Sequence, residues 1–401
     1  MSLNSTPSGE RLHIGFFGLR NAGKSSLVNA VTGQSLSVVS DVKGTTTDPV
    51  KKAMELLPVG PVVIIDTPGI DDEGELGNLR VKKAIDSLSK TDIAILVTDS
   101  TKEISDQEKA LIIHFKEKNI PYIIAYNKSD LLTRKSELSE NEIYVSARLN
   151  ENINQLKELI GKLSNTNNKE HPLVRDLLKK GDKVVLVIPL DKAAPKGRLI
   201  LPQQMTIRDI LDVGATCVCC RDTELADTLD SFKNKPDLVI TDSQAFGKVS
   251  EIVSDDIPLT SFSILMARYK GDLSVLIKGA SMLSKLKDGD KVLISEGCTH
   301  HRQCNDIGTV KMPAWIEKFS GSKPEFHFTS GGEFPDDLSS YSLVVHCGGC
   351  MLNEKEMKSR MQRCNQSGVP IVNYGIAIAH MNSILKRSIE IFPAYLSDTE
   401  L

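Results

Sequence analysis

Gly18-Leu19-Arg20-Asn21-Ala22-Gly23-Lys24-Ser25 is the stretch on which the reading of the N-terminal fold turns. The apolar run Leu12–Phe17 leads into it, and Ser26-Leu-Val-Asn-Ala-Val follows with the spacing of a helix. This is the Gly-x-x-x-x-Gly-Lys-Ser pattern in the strand, loop and helix setting it requires. The two glycines let the backbone fold back so that its N–H groups surround phosphates at a helix N-terminus, where the helix dipole also favours an anion. Gly18, Asn21, Ala22, Gly23, Lys24, Ser25 and Ser26 are therefore the expected phosphate-binding residues, with Lys24 as a point charge and Ser25 on Mg²⁺. Taken alone, the pattern leaves ATP and GTP both open.

Four further stretches settle the base. Asp66-Thr-Pro-Gly69 follows the run 62–65, so a carboxylate comes near the metal and the Gly69 N–H near a γ-phosphate. Asn127-Lys128-Ser129-Asp130 follows Tyr122 to Tyr126, and the Asp130 carboxylate can accept two hydrogen bonds that guanine supplies and adenine does not. Ser146-Ala147 is the expected backing loop for the guanine oxygen, and Thr46, in Gly44-Thr-Thr-Thr-Asp48, the expected Mg²⁺-binding threonine of a first switch. Lys24, Thr46, Asp66 and Gly69 thus form the expected catalytic group. In this order of motifs the segment 11–163 resembles the GTPase domains of the TrmE/Era class. The resemblance implies that Asn21 helps hold a potassium ion in place of an arginine finger. Ile70 stands where Ras-like enzymes carry a water-orienting glutamine, so turnover is expected to be slow without such a device. The acidic run Asp71, Asp72, Glu73 and Glu75 reads as a solvated switch.

With 401 residues the chain has room for several domains, each with its own core. Lys plus Arg (49) against Asp plus Glu (52) gives a net charge of −3, which argues against a general grip on nucleic acid or an anionic membrane. No apolar run approaches the length of a bilayer crossing, so a cytoplasmic protein is expected. In that compartment eight cysteines read as reduced thiols or metal ligands rather than disulfides. A helix with Ile153, Leu156, Leu159, Ile160 and Leu163 on one face closes the first domain, and Ser164-Asn-Thr-Asn-Asn-Lys reads as a linker. No internal repeat is visible.

The middle of the chain alternates strand-like and helix-like runs: Val184 to Pro189, a helix introduced by Thr206, and Leu238 to Asp242. Cys217-Val-Cys219-Cys220 offers three thiols, but in a strand Cys217 and Cys219 share one face while Cys220 points to the other, so packing is the expected role. Lys192, Lys196 and Arg198 would make a basic turn. A segment without chemistry of its own is a reasonable place for self-association, and a homodimer interface is expected here.

Leu343-Val-Val-His346-Cys347-Gly-Gly-Cys350 carries the chemistry of the C-terminal part. A buried-strand run delivers two thiols three positions apart, and a second run from Lys291 delivers Cys298 and His300 in the same way. Ligands gather beyond the carboxyl ends of parallel strands, so the two loops are expected to meet. Cys298, Cys347 and Cys350 with His300 or His346 would suit a tetrahedral zinc. Three thiolates without a fourth also suit an iron–sulfur cluster with one iron open to exchange. Gly348 and Gly349, which let backbone N–H groups approach sulfides, favour the cluster. His301, Cys304 and Asp306 lie nearby as auxiliary candidates, whereas Cys364 shares a helix face with Met357 and Met361 and reads as core.

A TrmE/Era-like domain joined to Cys-x-His…His-Cys-x-x-Cys resembles the HydF family of FeFe-hydrogenase maturation GTPases over the whole chain. That resemblance implies a 4Fe-4S cluster on Cys298, Cys347 and Cys350, and its motif histidines fall on His300 and His346, which join Asp306 as auxiliary candidates. It further implies GTP/GDP, Mg²⁺ and K⁺ as ligands, a transient diiron precursor as cargo, a homodimer, and as partners apo FeFe-hydrogenase and two radical-SAM maturases, with no nucleic acid and no membrane. The expected architecture is α/β throughout: a P-loop GTPase domain (1–166), a small α/β dimerisation domain (167–259) and a C-terminal α/β iron–sulfur domain with a parallel sheet (260–401). A zinc-stabilised GTPase adaptor and a ribosome- or tRNA-associated GTPase are the alternatives.

Overall fold

The structure, a computed structural model, describes residues 6–34, 49–70, 75–134, 136–167, 172–189, 199–297 and 306–399, with only the backbone path given for 75–80, 165–167 and 399. The chain is mixed α/β and divides into two compact units, Thr6–Glu170 and His171–Leu401.

The first unit is built on six strands: β1 (Leu12–Phe17), β2 (Val50–Leu56), β3 (Gly60–Asp66), β4 (Ile93–Asp99), β5 (Tyr122–Asn127) and β6 (Glu142–Tyr144). Their order is β2-β3-β1-β4-β5-β6, parallel except for the antiparallel β2–β3 pair. The central strands are apolar almost without interruption because helices cover both faces. On one face the helix Ile153–Asn167 buries Ile153, Leu156 and Ile160, as its spacing predicts. On the other the helix Asp106–Glu117, held by a Ser105–Glu108 capping box, buries Leu111 and Phe115.

The second unit holds two four-stranded sheets. β7 (Lys183–Val187), β8 (Thr216–Cys220), β9 (Leu238–Thr241) and β10 (Leu259–Ser261) pair in the order β10-β9-β7-β8. β11 (Lys291–Glu296), β12 (Glu325–Ser330), β13 (Leu343–His346) and β14 (Ile371–Asn373) pair in the order β12-β11-β13-β14. All pairings are parallel. Read from either end, the two sheets wind identically: the second strand flanks the first, the third flanks its other side, and the fourth lies beyond. The repeat that the sequence hides is therefore present in the topology. Leu343, Val344 and Val345 are fully buried, each contributing roughly 1.5–3 kcal/mol of hydrophobic stabilisation.

Three expectations for this unit change. The helix placed after Thr206 spans Leu201–Asp212, with Pro202 in its first turn and the Gln203 side chain accepting from the Ile200 amide. Thr206 is a buried interior residue whose hydroxyl donates to the Pro202 carbonyl at 2.8 Å. On edge strand β8, Cys217 and Cys220 pack partly against the core, but Cys219 is exposed and so is not core. Residue 259 lies inside the β9–β10 pairing, because Leu259 is in register with Val239. Lys192, Lys196 and Arg198 lie outside the described residues. Among those described, no helix is long and apolar enough to cross a membrane.

Candidate functional site

The nucleotide motifs converge at the carboxyl edge of the first sheet. Gly18 has φ +144° and Gly23 φ +87°; a Cβ on the first would stand 2.1 Å from the Val97 carbonyl oxygen, and on the second 2.2 Å from Asn127 Nδ2. Only glycine can occupy either position. The loop between them ends on the N-terminus of the helix Lys24–Thr32, with its open amides. Lys24 is buried, and its Nζ donates to the carbonyls of Gly18 (3.1 Å) and Leu19 (2.8 Å), spanning the loop that should hold the phosphates. Asn21 adopts φ +59°, a left-handed conformation that asparagine tolerates better than most residues.

Ser25 lies in the first turn of the helix Lys24–Thr32, and Asp66 ends β3. The Ser25 hydroxyl donates to Asp66 Oδ2 at 3.0 Å, while Asp66 Oδ1 is buried with no hydrogen-bond partner among the described residues. A buried carboxylate oxygen left in this way is costly unless a cation or donor meets it. The pair fits Mg²⁺. Thr67 fixes the strand end by donating to the Phe16 carbonyl at 2.7 Å, which sets the path toward Gly69. Ile70 is buried among Phe17, Ala84 and Leu88, so it cannot orient an attacking water. Thr46 and the run Asp71, Asp72 and Glu73 lie outside the described residues, as does the Glu75 side chain.

Asn127 links phosphate loop and base loop. Its Nδ2 donates to the Ala22 carbonyl at 3.0 Å and its Oδ1 accepts the Ala147 amide at 3.1 Å. Lys128, at φ +64°, reaches Asp99 at 2.6 Å. Burial would raise the Asp99 carboxyl, but the bonds from Lys128 and Thr101 outweigh it and hold the group below its ordinary range. Ser146, fully buried, donates to Asp130 Oδ1 at 2.6 Å and accepts the Leu149 amide. The structure thus brings together Gly18, Asn21, Ala22, Gly23, Lys24, Ser25, Ser26, Asp66, Asn127, Lys128, Asp130, Ser146 and Ala147.

The cysteine motif lies at the carboxyl edge of the last sheet. β11 and β13 are parallel neighbours, with Ser295 in register with His346, so the loops that follow them start side by side. The strand order reverses at this pair, which opens a crevice of the kind where α/β sheets bind ligands. Cys347 receives two backbone N–H groups on its sulfur, from Gly297 at 3.1 Å and from Gly349 at 3.4 Å. Such donors stabilise negative charge on sulfur. Cys298, His300, His301 and Cys304 lie outside the described residues. Among those described, no group of three or more His, Cys, Asp and Glu side chains is placed to hold a metal ion.

His346 is held behind Cys347 by bonds to both ring nitrogens. It is fully buried, its Nδ1 bonds to the Cys347 carbonyl at 2.7 Å, and its Nε2 meets Arg360 Nη1 at 3.0 Å. Burial first, then the Arg360 charge, pull its pKa down to about 3, so the ring is neutral and both nitrogens are engaged. Asp306 caps the turn Ile307–Lys311, accepting the Thr309 amide and hydroxyl on Oδ2 at 3.0 Å each. Cys364 is core as expected, its thiol pushed up to about 12 chiefly by burial.

Three supporting groups escape the sequence reading. Arg360, 2% exposed, donates to Ser295, His346, Glu356 and the Gly331 carbonyl, and lies over the Phe334 ring. Lys270, also 2% exposed, donates to the carbonyls of Cys350 (3.2 Å) and Leu352 (2.8 Å). Buried Tyr374 donates to Glu296 at 3.3 Å; burial, then the neighbouring charges of Glu296, Cys347 and Asp306, hold its hydroxyl protonated. The available signal was a charged residue at an apolar position: Arg360 lies three residues after Met357, and Lys270 ends the apolar helix Phe262–Lys270.

Residues 13–128 match the family described as 50S ribosome-binding GTPase. Among curated relatives, GTPase Der of Mycoplasmopsis pulmonis is 30% identical over 200 residues, covering 44% of this chain and 46% of that protein. The tRNA modification GTPase MnmE of Lactobacillus helveticus is 38% identical over 156 residues, 36% of this chain and 32% of that protein. The chain thus spans less than half the length of these curated relatives. Era from Aquifex aeolicus, a solved structure, is similar at a TM-score of 0.35 with 16% identity, covering 80% of this chain and 92% of that one, a likeness too slight to carry an argument. Residues 173–271 match the hydrogen maturase F dimerization domain and residues 274–391 the hydrogen maturase F tetramerization domain. With a GTPase domain ahead of both matches, the chain belongs to the hydrogen maturase F family.

Proposed function

We propose that this chain is a GTP-hydrolysing scaffold that holds a 4Fe-4S cluster on Cys298, Cys347 and Cys350, and that assembles and delivers the diiron precursor of the H-cluster to apo FeFe-hydrogenase. One observation carries the reading: in a chain of this family, two backbone N–H groups converge on Cys347 Sγ at the switch-point crevice of a parallel sheet. A cluster bound through three thiolates leaves one iron with an exchangeable position, the chemistry a temporary carrier needs. Neutral His346 and the glycine amides hold the Cys347–Cys350 loop, and Tyr374 holds Glu296 at the end of β11.

In the GTPase unit, Ser25 and Asp66 would hold Mg²⁺, Lys24 would meet the phosphates and Asp130 would select guanine. Buried Ile70 supports slow intrinsic turnover, and Asn21 is the residue through which potassium would act. Cleavage of the γ-phosphate would release the switch loops and so change an interface. The cargo would arrive from two radical-SAM maturases, in the cytoplasm. Self-association is supported by the two matched family descriptions and by edge strand β8, whose Val218 and Cys219 are exposed.

Anaerobic reconstitution of the full chain with ferrous iron and sulfide tests the proposal. The expected product is brown, holds iron and sulfide in equal amounts, and loses both when Cys347 is replaced by alanine. Colourless protein carrying zinc would refute it in favour of an adaptor.

A further inference from the structure

The helix Phe262–Lys270 leaves the middle sheet without a linker. Ser261 is both the last residue of β10 and the cap of that helix, its hydroxyl accepting the Ile264 amide at 3.2 Å. The far sheet grips the helix at both ends. Asn373, the last residue of β14, donates to the Ser263 carbonyl at 3.0 Å, and Lys270 donates to the Cys350 and Leu352 carbonyls. Lys270 belongs to the segment matched by the dimerization description, whereas Cys350 belongs to the one matched by the tetramerization description. A buried ammonium is kept in a protein interior only where its donors are used and the surroundings favour a positive charge. Here the donors go to the backbone of a motif cysteine.

We propose that Lys270 is a positioning residue for the iron–sulfur site: its ammonium fixes the Cys350 backbone and puts a positive charge on the carbonyl of that cysteine, tying the Cys347–Cys350 loop to the middle sheet through one helix. The inference rests on the cluster reading given under Proposed function. Two consequences follow from the chemistry. Without the two bonds the Cys350 carbonyl is released, so the thiolate that follows its movement should surrender iron more readily. Without the charge, adding an electron to an anionic cluster becomes harder, so the reduction potential should fall.

The test compares reconstituted full-length wild type with Lys270→Met, which keeps the length of the side chain and removes both donors and charge. Iron release to bathophenanthroline should quicken on the order of tenfold, as expected for lost charge-assisted hydrogen bonds, and the EPR-monitored potential should become more negative. Lys278→Met, at an exposed lysine paired with Asp398 at 3.1 Å, serves as control and should move neither readout. Wild-type release and potential in Lys270→Met overturn the inference. Should that variant fail to fold, Lys270→Gln, whose amide can still donate to one carbonyl, is measured instead, and wild-type values there overturn it equally. Failure of the wild type itself to assemble iron and sulfide is a different result, since it removes the cluster reading rather than the role of Lys270.

Discussion

Arg360 donates from Nη1 to His346 Nε2 at 3.0 Å, deep in the sheet wall behind Cys347. The contact assigns the ring's other nitrogen, Nδ1–H, to the Cys347 carbonyl and fixes the tautomer. Arg360 is also paired with Glu356 at 3.0 Å, and that carboxylate is buried. Arg360→Met should therefore destabilise the C-terminal unit by roughly 3–5 kcal/mol, the cost of stranding one member of a buried pair. Urea titration followed by the single tryptophan, which lies in that unit at Trp315, reads the loss. A change under 1 kcal/mol would mean that the network is dispensable.

Asp130→Asn should weaken GTP on the order of a hundredfold or more, because a site built to bond a polar edge rejects the mismatched base strongly. The same variant should gain xanthosine triphosphate, whose base offers the complementary pattern. Competition of both nucleotides for the protein checks it. Unchanged preference for GTP removes Asp130 from the base pocket.

Ser25→Ala deletes the donor to Asp66 and one expected ligand of Mg²⁺, so kcat for GTP should fall on the order of 10²-fold. Iron content should remain that of wild type, since the two sites belong to separate compact units. Asn21→Ala should instead abolish the difference between turnover in potassium and in sodium. A full potassium effect in that variant would assign the ion elsewhere.

Asp99 provides a pH test. Its folded pKa is depressed from the ordinary value of 3.8 because the bonds from Lys128 and Thr101 outweigh burial. Stabilisation from this group is therefore fully present above the unfolded value and lost as pH falls through the folded one. The difference in urea midpoint between wild type and Asp99→Asn should be constant near neutral pH and shrink below about pH 4. A difference that persists into acid rules the ion pair out as its source.

Thiol labelling separates the cysteines. Cys219 is exposed on edge strand β8, whereas Cys364 is fully buried with its thiol pushed up to about 12. Iodoacetamide should modify Cys219 in the native protein wherever β8 is not covered by a second copy, and Cys364 only after denaturation. Native-state labelling of Cys364 would show that its helix opens.

Much of this was legible in the sequence where local chemistry dictates it. The glycines of the phosphate loop are fixed by sterics that no other residue satisfies, and the run Leu343–Val345 is apolar because both faces of β13 are covered. What escaped depends on partners distant in the chain. Nothing beside His346 in the chain announces that Arg360, fourteen residues on, bonds its Nε2. Lys270 ends a helix like any surface lysine until residues eighty positions later present their carbonyls. Thr206 looks like a cap because Ile200, which precedes the first turn, has no polar side chain to announce it.

The shared winding of the two four-stranded sheets has a further consequence. One chain path, laid down twice, generates the same gap between its first and third strands each time, yet the earlier copy ends its third strand in Thr241-Asp242 where the later one presents His346-Cys347. Grafting thiols into the earlier gap would ask whether the scaffold or the sulfur makes an iron site. The molecule thus carries, in the same unit, a counterpart whose equivalent gap presents no thiol.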